Sequence, residues 1–293
     1  MKLGIDLGGT KIEGVVLSDE GVVLAKERVA TPRSYPEIID AIAGLVLRLE
    51  ATVGGRVSVG VGGPGAESAV TRRIKNSNTE CINGKSLRDD LSARLVRSVR
   101  FSNDANCFAL SEAVDGAGES ADVVFGVILG TGVGGGLVVN KRVLNGVNGI
   151  AGEWGHTPLP NFKEGRRCYC GRQDCIETYL CGAGLVRSYS NAGGGAISVP
   201  EIVERATGDE ALAKSVFDIY CKQLASALAV VINIVDPATI VLGGGLSNIK
   251  MLYEAVPLHW NDYVFSDECV TQLLPAKYGD SSGVRGAAWL WDN

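Results

Sequence analysis

One local plan occurs twice in this chain. Ile5-Asp6-Leu7-Gly8-Gly9-Thr10 and Ile128-Leu129-Gly130-Thr131-Gly132 each read as an apolar strand, a glycine turn carrying a threonine, then another strand. A third turn, Gly243-Gly244-Gly245, follows a buried strand at 240–242. Glycine is abundant, 39 of 293 residues, and gathers in such runs. It supplies positive φ and close backbone approach. One glycine turn alone most simply ends a strand. Three alike, two with a hydroxyl at matching places, point instead to anion binding, because backbone N–H groups in such a turn converge on an anion. Two such hairpins opposed across a cleft would hold the two ends of a polyphosphate.

The remaining pattern is that of an α/β protein. Strands are expected at 3–7, 12–17, 22–29, 57–61, 99–101, 123–129 and 133–139. A helix is expected at 36–51, where Pro36 suits the first turn and Ile38, Ile39, Ile42, Leu45, Val46 and Leu49 recur at helical spacing. Further helices are expected at 87–96, from Asn103-Asp104 through Ala113, over most of 201–235, and at the C-terminus. Residues 140–184 read as loop-rich. The length suggests two domains. They are placed at 1–115, with a terminal helix at about 283–293 packing back on it, and at 116–282, which carries the cysteine-rich loop.

Composition excludes some classes. Hydrophobic residues make up 46 % and charged residues 21 %, with a net charge of −5. No basic run recommends a nucleic-acid partner. No uninterrupted apolar run approaches the ~20 residues that span a bilayer. Residues 3–5 already read as strand, which leaves no room for a signal peptide, and a cytoplasmic location is expected.

Phosphate chemistry assigns roles to particular residues. The hydroxyls of Thr10 and Thr131 add hydrogen bonds to a phosphate. Asp6 at the mouth of the first turn would repel phosphate unless a cation lay between them, which implies Mg²⁺ with retained waters. No Gly-x-x-x-x-Gly-Lys-Ser/Thr sequence is present, so this is not a P-loop protein. Asp104, just after a strand and opening a helix, is the candidate base for an alcohol acceptor, and Asn103 can bond to a polyol. Helix capping accounts for the Asn103-Asp104 pair equally well.

His156, Cys168, Cys170 and Cys175 make a Cys-x-Cys-x4-Cys cluster with a histidine twelve residues upstream. One His and three Cys complete a closed tetrahedral zinc set, so the metal is expected to be structural. Free thiols are the alternative. The zinc would pin the loop that carries Glu153 and leads into Glu177. Those two carboxylates either grip sugar hydroxyls or are surface charge.

Taken together, Asp6-Leu7-Gly8-Gly9-Thr10, Gly60-Val61-Gly62-Gly63-Pro64-Gly65, Asn103-Asp104, Gly130-Thr131-Gly132-Val133-Gly134-Gly135-Gly136, Gly152-Glu153-Trp154-Gly155-His156, the cysteine cluster and Ile176-Glu177-Thr178-Tyr179-Leu180 resemble the ROK family of repressors and sugar kinases. The resemblance covers nearly the whole chain. It implies a two-domain actin-like, ribonuclease H-like ATPase fold with a cleft between domains. It implies ATP binding by Asp6, Gly8, Gly9, Thr10, Lys11, Gly130, Thr131, Gly132, Gly134, Gly135, Gly243 and Gly244. It also implies sugar binding by Gly63, Asn78, Asn103, Asp104, Glu153, His156 and Glu177, with Asp104 as general base. His156 can serve zinc and sugar through its two ring nitrogens. Cys181 stands where the family commonly has Ser. Members are commonly dimers, so a homodimer is expected.

Within the family, Asn76-Ser77-Asn78, Asn83-Gly84-Lys85, Gly155-His156-Thr157-Pro158-Leu159-Pro160 and the segment from Gly279 to Trp291 most resemble bacterial fructokinases, also called manno(fructo)kinases. The expected acceptor is therefore the 6-hydroxyl of D-fructose, with mannose and glucose weaker. N-acetylglucosamine kinases share much of the same pattern and are the alternative. A family repressor is disfavoured because only five residues precede Asp6, too few for a DNA-binding domain. A catalytically dead sugar sensor would not need Asp104.

Overall fold

The structure is a computed structural model and describes residues 1–292. Its first half runs β1 Lys2–Leu7, β2 Lys11–Leu17, β3 Val23–Ala30, α1 Tyr35–Val53, β4 Ser58–Gly63, β5 Ala66–Glu67, β6 Ile74–Lys75, α2 Leu87–Leu95, β7 Val99–Asn103 and α3 Asp104–Val114. Then come β8 Val123–Leu129, β9 Val133–Val139, β10 Arg142–Val143, α4 Glu177–Leu180, α5 Gly182–Tyr189, α6 Val199–Thr207, α7 Ala211–Val235, β11 Thr239–Gly243, α8 Met251–Ala255, β12 Gln272–Pro275 and α9 Ser282–Trp289.

The described residues form two compact units. Unit 1 holds Met1–Ser120, Gly136–Ala151 and residues from 277 on; unit 2 holds Ala121–Gly135 and Gly152–Ala276. The division differs from the boundary expected from sequence, because 116–120, 136–151 and 277–282 group with the first unit. Close packing explains the second of these. A Cβ on Gly136 would lie 2.7 Å from the Ala105 carbonyl oxygen, and the Lys75 ammonium bonds the Asn148 carbonyl. The C-terminal helix expected at 283–293 is α9; residue 293 lies outside the described residues.

In unit 1 the sheet order is β3-β2-β1-β4-β7. β1, β2 and β3 pair antiparallel, while β1, β4 and β7 run parallel. Side chains alternate across β1. Leu3, Ile5 and Leu7 are buried in one cluster with Ile38, Ile42 and Leu45 of α1. The opposite face is stripped to glycine so that α9 can lie on it. A Cβ on Gly4 would fall 2.0 Å from the Val284 oxygen, and one on Gly60 would fall 1.9 Å from the Ala287 oxygen. Gly286 of α9 meets α3 in the same way, with the Cys107 oxygen 1.6 Å from its would-be Cβ. The fully buried Glu112 of α3 accepts the Ser282 hydroxyl at 2.6 Å, which fixes the start of α9.

In unit 2, β8, β11 and β12 run parallel. Val124, Phe125, Val127 and Leu129, and Ile240, Val241 and Leu242, are all buried, the continuous apolar pattern of strands covered on both faces. The helical stretch expected at 201–235 is two helices, parted at Gly208. The short strands β5, β6, β10 and β12 were not anticipated. The helix α7 corrects the membrane expectation in one respect: it is long and apolar enough to cross a bilayer. About 67 % of its apolar window is buried inside the protein, as in a core helix.

The second sheet has the order β10-β9-β8-β11-β12. Both sheets therefore repeat one connection, in which a three-strand meander is followed by two strands added on the far side of its first strand. The repeated strand–glycine–threonine plan is the opening hairpin of each.

Candidate active site

The register of unit 1 brings distant residues to one edge. Asp6 on β1 pairs with Gly62 on β4, and Gly63 pairs with Asn103 on β7. The carboxyl ends of three parallel strands thus line up Asp6, Gly63 and Asn103, with Asp104 one residue further. Carboxyl ends of parallel strands are the usual place for ligands in open α/β sheets. Gly63 leaves room there: a Cβ would press on Phe101 and Leu7 at 3.3 and 3.5 Å.

The capping question resolves between the two residues. Asn103 is the N-cap of α3, and its side-chain oxygen accepts the Asn106 N–H at 2.8 Å. Asp104 is the first helical residue, and its Oδ1 accepts the adjacent Ala105 N–H. Desolvation pushes the Asp104 carboxyl above the ordinary Asp value, and the Ala105 N–H partly offsets this. A carboxyl that takes up protons more readily than usual suits a proton acceptor.

Asp6 is pushed up to about 6, first by desolvation and then by the charges of Asp104 and Glu13. Glu13 stands directly opposite Asp6 on β2 and is only 3 % exposed. It is held ionised by Lys26 at 2.6 Å and by Arg28. Asp6 therefore lies among carboxylates, an oxygen-rich setting in which a hard divalent cation relieves repulsion.

The first glycine turn is tight. The Gly8 N–H bonds the Lys11 carbonyl at 3.0 Å. Thr31, which sequence analysis did not single out, clasps the turn twice: its N–H bonds the Thr10 carbonyl at 3.0 Å, and its hydroxyl bonds the Gly8 carbonyl at 2.7 Å. Neither Gly8 nor Gly9 has positive φ, so conformational freedom is not the reason for glycine here. Gly8 is needed for close approach to the Lys11 oxygen, 2.9 Å from a would-be Cβ. At Gly9 a Cβ would meet nothing within 4 Å. Thr10 and Lys11 are exposed beside it. Asn78 is exposed on a nearby loop, which Asn83 fixes by bonding the Ser77 N–H and carbonyl, both at 2.9 Å.

In unit 2, β8 and β11 set two more turns side by side, since Gly243 pairs with Ile128. The Gly130 N–H bonds the Gly132 carbonyl at 3.0 Å. Gly244 has φ +80° and abuts Leu129, whose oxygen would lie 2.4 Å from a Cβ. Thr131 is exposed at the tip. Glu177 has a role that the sequence did not suggest: its Oε2 accepts the Val133 N–H at 3.0 Å and so braces the far side of this turn. Gly134 and Gly135 pack against Trp154. The indole bonds the Gly134 carbonyl at 3.3 Å, and a Cβ on Gly135 would strike the ring at 2.6 Å. Packing is thus what requires glycine at 135. Glu153 is exposed one residue before Trp154.

The ligand atoms of His156, Cys168, Cys170 and Cys175 all lie within 4.8 Å of one another. His156 Nδ1 is 3.6 Å from Cys168 Sγ, and Cys170 Sγ is 3.6 Å from Cys175 Sγ. Around tetrahedral zinc, bonds of about 2.0–2.3 Å give edges of about 3.5–3.8 Å, so these separations fit the ion. The second nitrogen, Nε2, lies 2.9 Å from the Tyr169 hydroxyl, a partner not foreseen when this nitrogen was assigned to sugar. Arg166, 1 % exposed, anchors the loop. It bonds the Thr178 carbonyl and the Ser188 hydroxyl, each at 2.9 Å, and stacks on Tyr179. Sequence reasoning passed over it because a lone arginine in a polar loop reads as surface. Cys181 caps α5 by accepting the Gly184 N–H on its sulfur at 3.3 Å.

Comparison with known proteins shows which family the chain belongs to. The ROK family profile matches residues 2–293. An N-acetyl-D-glucosamine kinase of Photobacterium profundum is 41 % identical over 299 residues, covering 99 % of both chains. Among solved structures, a ROK hexokinase from Thermus thermophilus superposes with TM-score 0.89 at 31 % identity, covering 99 % of this chain and 97 % of the other. A ROK family glucokinase from Streptomyces griseus, solved with glucose and AMPPNP, gives TM-score 0.76 at 29 % identity, covering 98 % and 97 %. The chain belongs to the ROK family and is one of its sugar kinases, with the actin-like ATPase fold.

Proposed function

We propose that this enzyme transfers the γ-phosphoryl group of ATP to the 6-hydroxyl of N-acetylglucosamine. The observation that carries the acceptor is the 41 % identity, over 99 % of both chains, to the Photobacterium N-acetyl-D-glucosamine kinase. The local motifs that favoured D-fructose are outweighed by likeness over the whole length. Fructose, mannose and glucose are assigned as weaker acceptors.

Asp104 is assigned as general base. It accepts the proton of the sugar hydroxyl as the oxygen attacks the γ-phosphorus, and the bond to the β-phosphate oxygen breaks with its electrons leaving on ADP. Support comes from its place at the carboxyl ends of β1, β4 and β7 and from Asn103, rather than Asp104, being the N-cap of α3. Gly63, Asn78, Asn103, Glu153, His156 and Glu177 are assigned to the sugar. Glu177 and His156 would each act with one atom already engaged, by the Val133 N–H and by Tyr169. Asp6, Gly8, Gly9, Thr10, Lys11, Gly130, Thr131, Gly132, Gly134, Gly135, Gly243 and Gly244 are assigned to ATP.

Mg²⁺ is assigned to Asp6 through water, where it would neutralise phosphate charge. Zinc is assigned to His156, Cys168, Cys170 and Cys175 in a structural role. A homodimer and a cytoplasmic location follow from the family resemblance. The test is ATP-dependent phosphorylation across N-acetylglucosamine, fructose, mannose and glucose. Failure to phosphorylate any of them would remove the proposal.

A further inference from the structure

Unit 1 contains a recess of about 540 Å³ lined by Gly9, Thr31, Pro32, Arg33, Thr79, Glu80 and Cys81. One wall begins at the first glycine turn. Thr31, clasped twice to that turn, fixes the Pro32-Arg33 segment relative to it. The other wall is Thr79 and the start of the short turn Glu80–Ile82, two residues after Asn78. Two features of the recess have no explanation inside the protein. Gly9 is bare although a Cβ would touch nothing within 4 Å and its φ is not positive, so the protein's own packing does not require glycine. Arg33 is exposed and makes no ion pair among the described residues, whereas Lys26, Arg28 and Arg48 of the neighbouring β3–α1 region are all paired with carboxylates. A bare backbone facing open space and an uncommitted guanidinium on an anchored wall together form a place for an anion. The planar guanidinium fork matches a phosphate's paired oxygens.

We propose that Arg33 is a further phosphate-binding residue, which holds the phosphate of the sugar 6-phosphate product in this recess beside Gly9. The proposal rests on the reading of the first glycine turn as a phosphate site. It adds a dedicated contact to the product, so that Arg33 governs product affinity and release rather than ATP affinity. Glu80 on the facing wall opposes the same anion and limits how tightly the product is held.

Calorimetric titration with N-acetylglucosamine 6-phosphate and, separately, with inorganic phosphate tests this on the purified full chain. Arg33→Ala should weaken both at least about tenfold, the scale of one hydrogen bond to a charged group. Arg33→Lys should fall between, because the charge remains while the fork is lost. Glu80→Gln should tighten both by a few-fold. KM for ATP should stay within about twofold and thermal stability unchanged, since Arg33 has no ion-pair partner to lose. Product binding unaltered by Arg33→Ala overturns the proposal, as does a KM for ATP that rises in step with the loss. If wild-type enzyme phosphorylates N-acetylglucosamine while Arg33→Ala behaves as wild type, this proposal alone falls. If wild type phosphorylates no sugar, the functional reading falls, and the inorganic phosphate titration still decides Arg33.

Discussion

Asn103 and Asp104 are consecutive, yet the fold gives them separate work: Asn103 caps α3 through the Asn106 N–H, and Asp104 opens the helix at the end of β7 with its Oδ1 on the Ala105 N–H. The separation makes their substitutions distinguishable. Asp104→Asn should leave the fold intact and lower kcat by roughly 10²–10⁴-fold, the usual scale for losing a general base. Asn103→Ala should instead cost about 1 kcal/mol of stability through loss of the cap. Near-normal turnover in Asp104→Asn would end its assignment as base. Thermal melts and steady-state kinetics on the two variants suffice.

The brace from Glu177 to the Val133 N–H predicts a split between two substitutions. Glu177→Gln keeps a side-chain oxygen for that N–H, whereas Glu177→Ala removes it. If bracing the turn is the main role, Glu177→Ala should raise KM for ATP by about tenfold, the scale of one lost hydrogen bond to a charged group, and Glu177→Gln by much less. Equal effects on KM for the sugar in both variants would return Glu177 to sugar binding alone.

The sulfur and nitrogen separations near 3.6 Å predict about one zinc per chain in protein purified without chelators. Cys170→Ser should lower both zinc content and melting temperature, because metal affinity contributes directly to folding of the loop. Elemental analysis that finds no zinc would contradict the assignment.

Glu50 gives a stability prediction with a defined pH dependence. Burial raises its carboxyl's pKa, but the hydrogen bonds from Arg97, at 2.6 and 2.9 Å, and from the Val57 N–H outweigh this and leave it below the ordinary Glu value of 4.5. A carboxyl with a lowered folded pKa contributes stability that is present above the unfolded value and lost as pH falls through the folded one. Glu50→Gln should therefore destabilise the protein at pH 7, because the Arg97 guanidinium loses its charged partner. The difference from wild type should shrink as pH drops below 4.5. A difference independent of pH would show that packing, not charge, is lost.

Much of this was legible in sequence because it is local. The strand–glycine–threonine hairpins and the α1 face follow from short spacings, and the grouping of His156, Cys168, Cys170 and Cys175 from a compact cluster. The pairing of Gly63 with Asn103 depends on strand register, which a one-residue slip would undo and which no local pattern records. The packing reason for glycine at 4, 60 and 286, the close approach of α9, joins residues far apart in the chain and shows in no local pattern. Thr31 escaped notice for the same cause: its partners are backbone atoms, which a residue pattern does not display. Fructose was favoured on motifs near Asn78 and in the C-terminal segment. That segment includes α9, whose Gly286 and Arg285 serve packing in unit 1, Gly286 against Cys107 and Arg285 bonded to Gly21 and Asp115, so these two carry little information about the sugar.

The most direct test of the account is kcat/KM for N-acetylglucosamine and for fructose at saturating ATP. A site built to bond the acetamido group should prefer N-acetylglucosamine by at least about a hundredfold, since groups left unpaired by fructose cost the transition state several kcal/mol. Equal or greater kcat/KM with fructose would contradict the assignment of the acceptor.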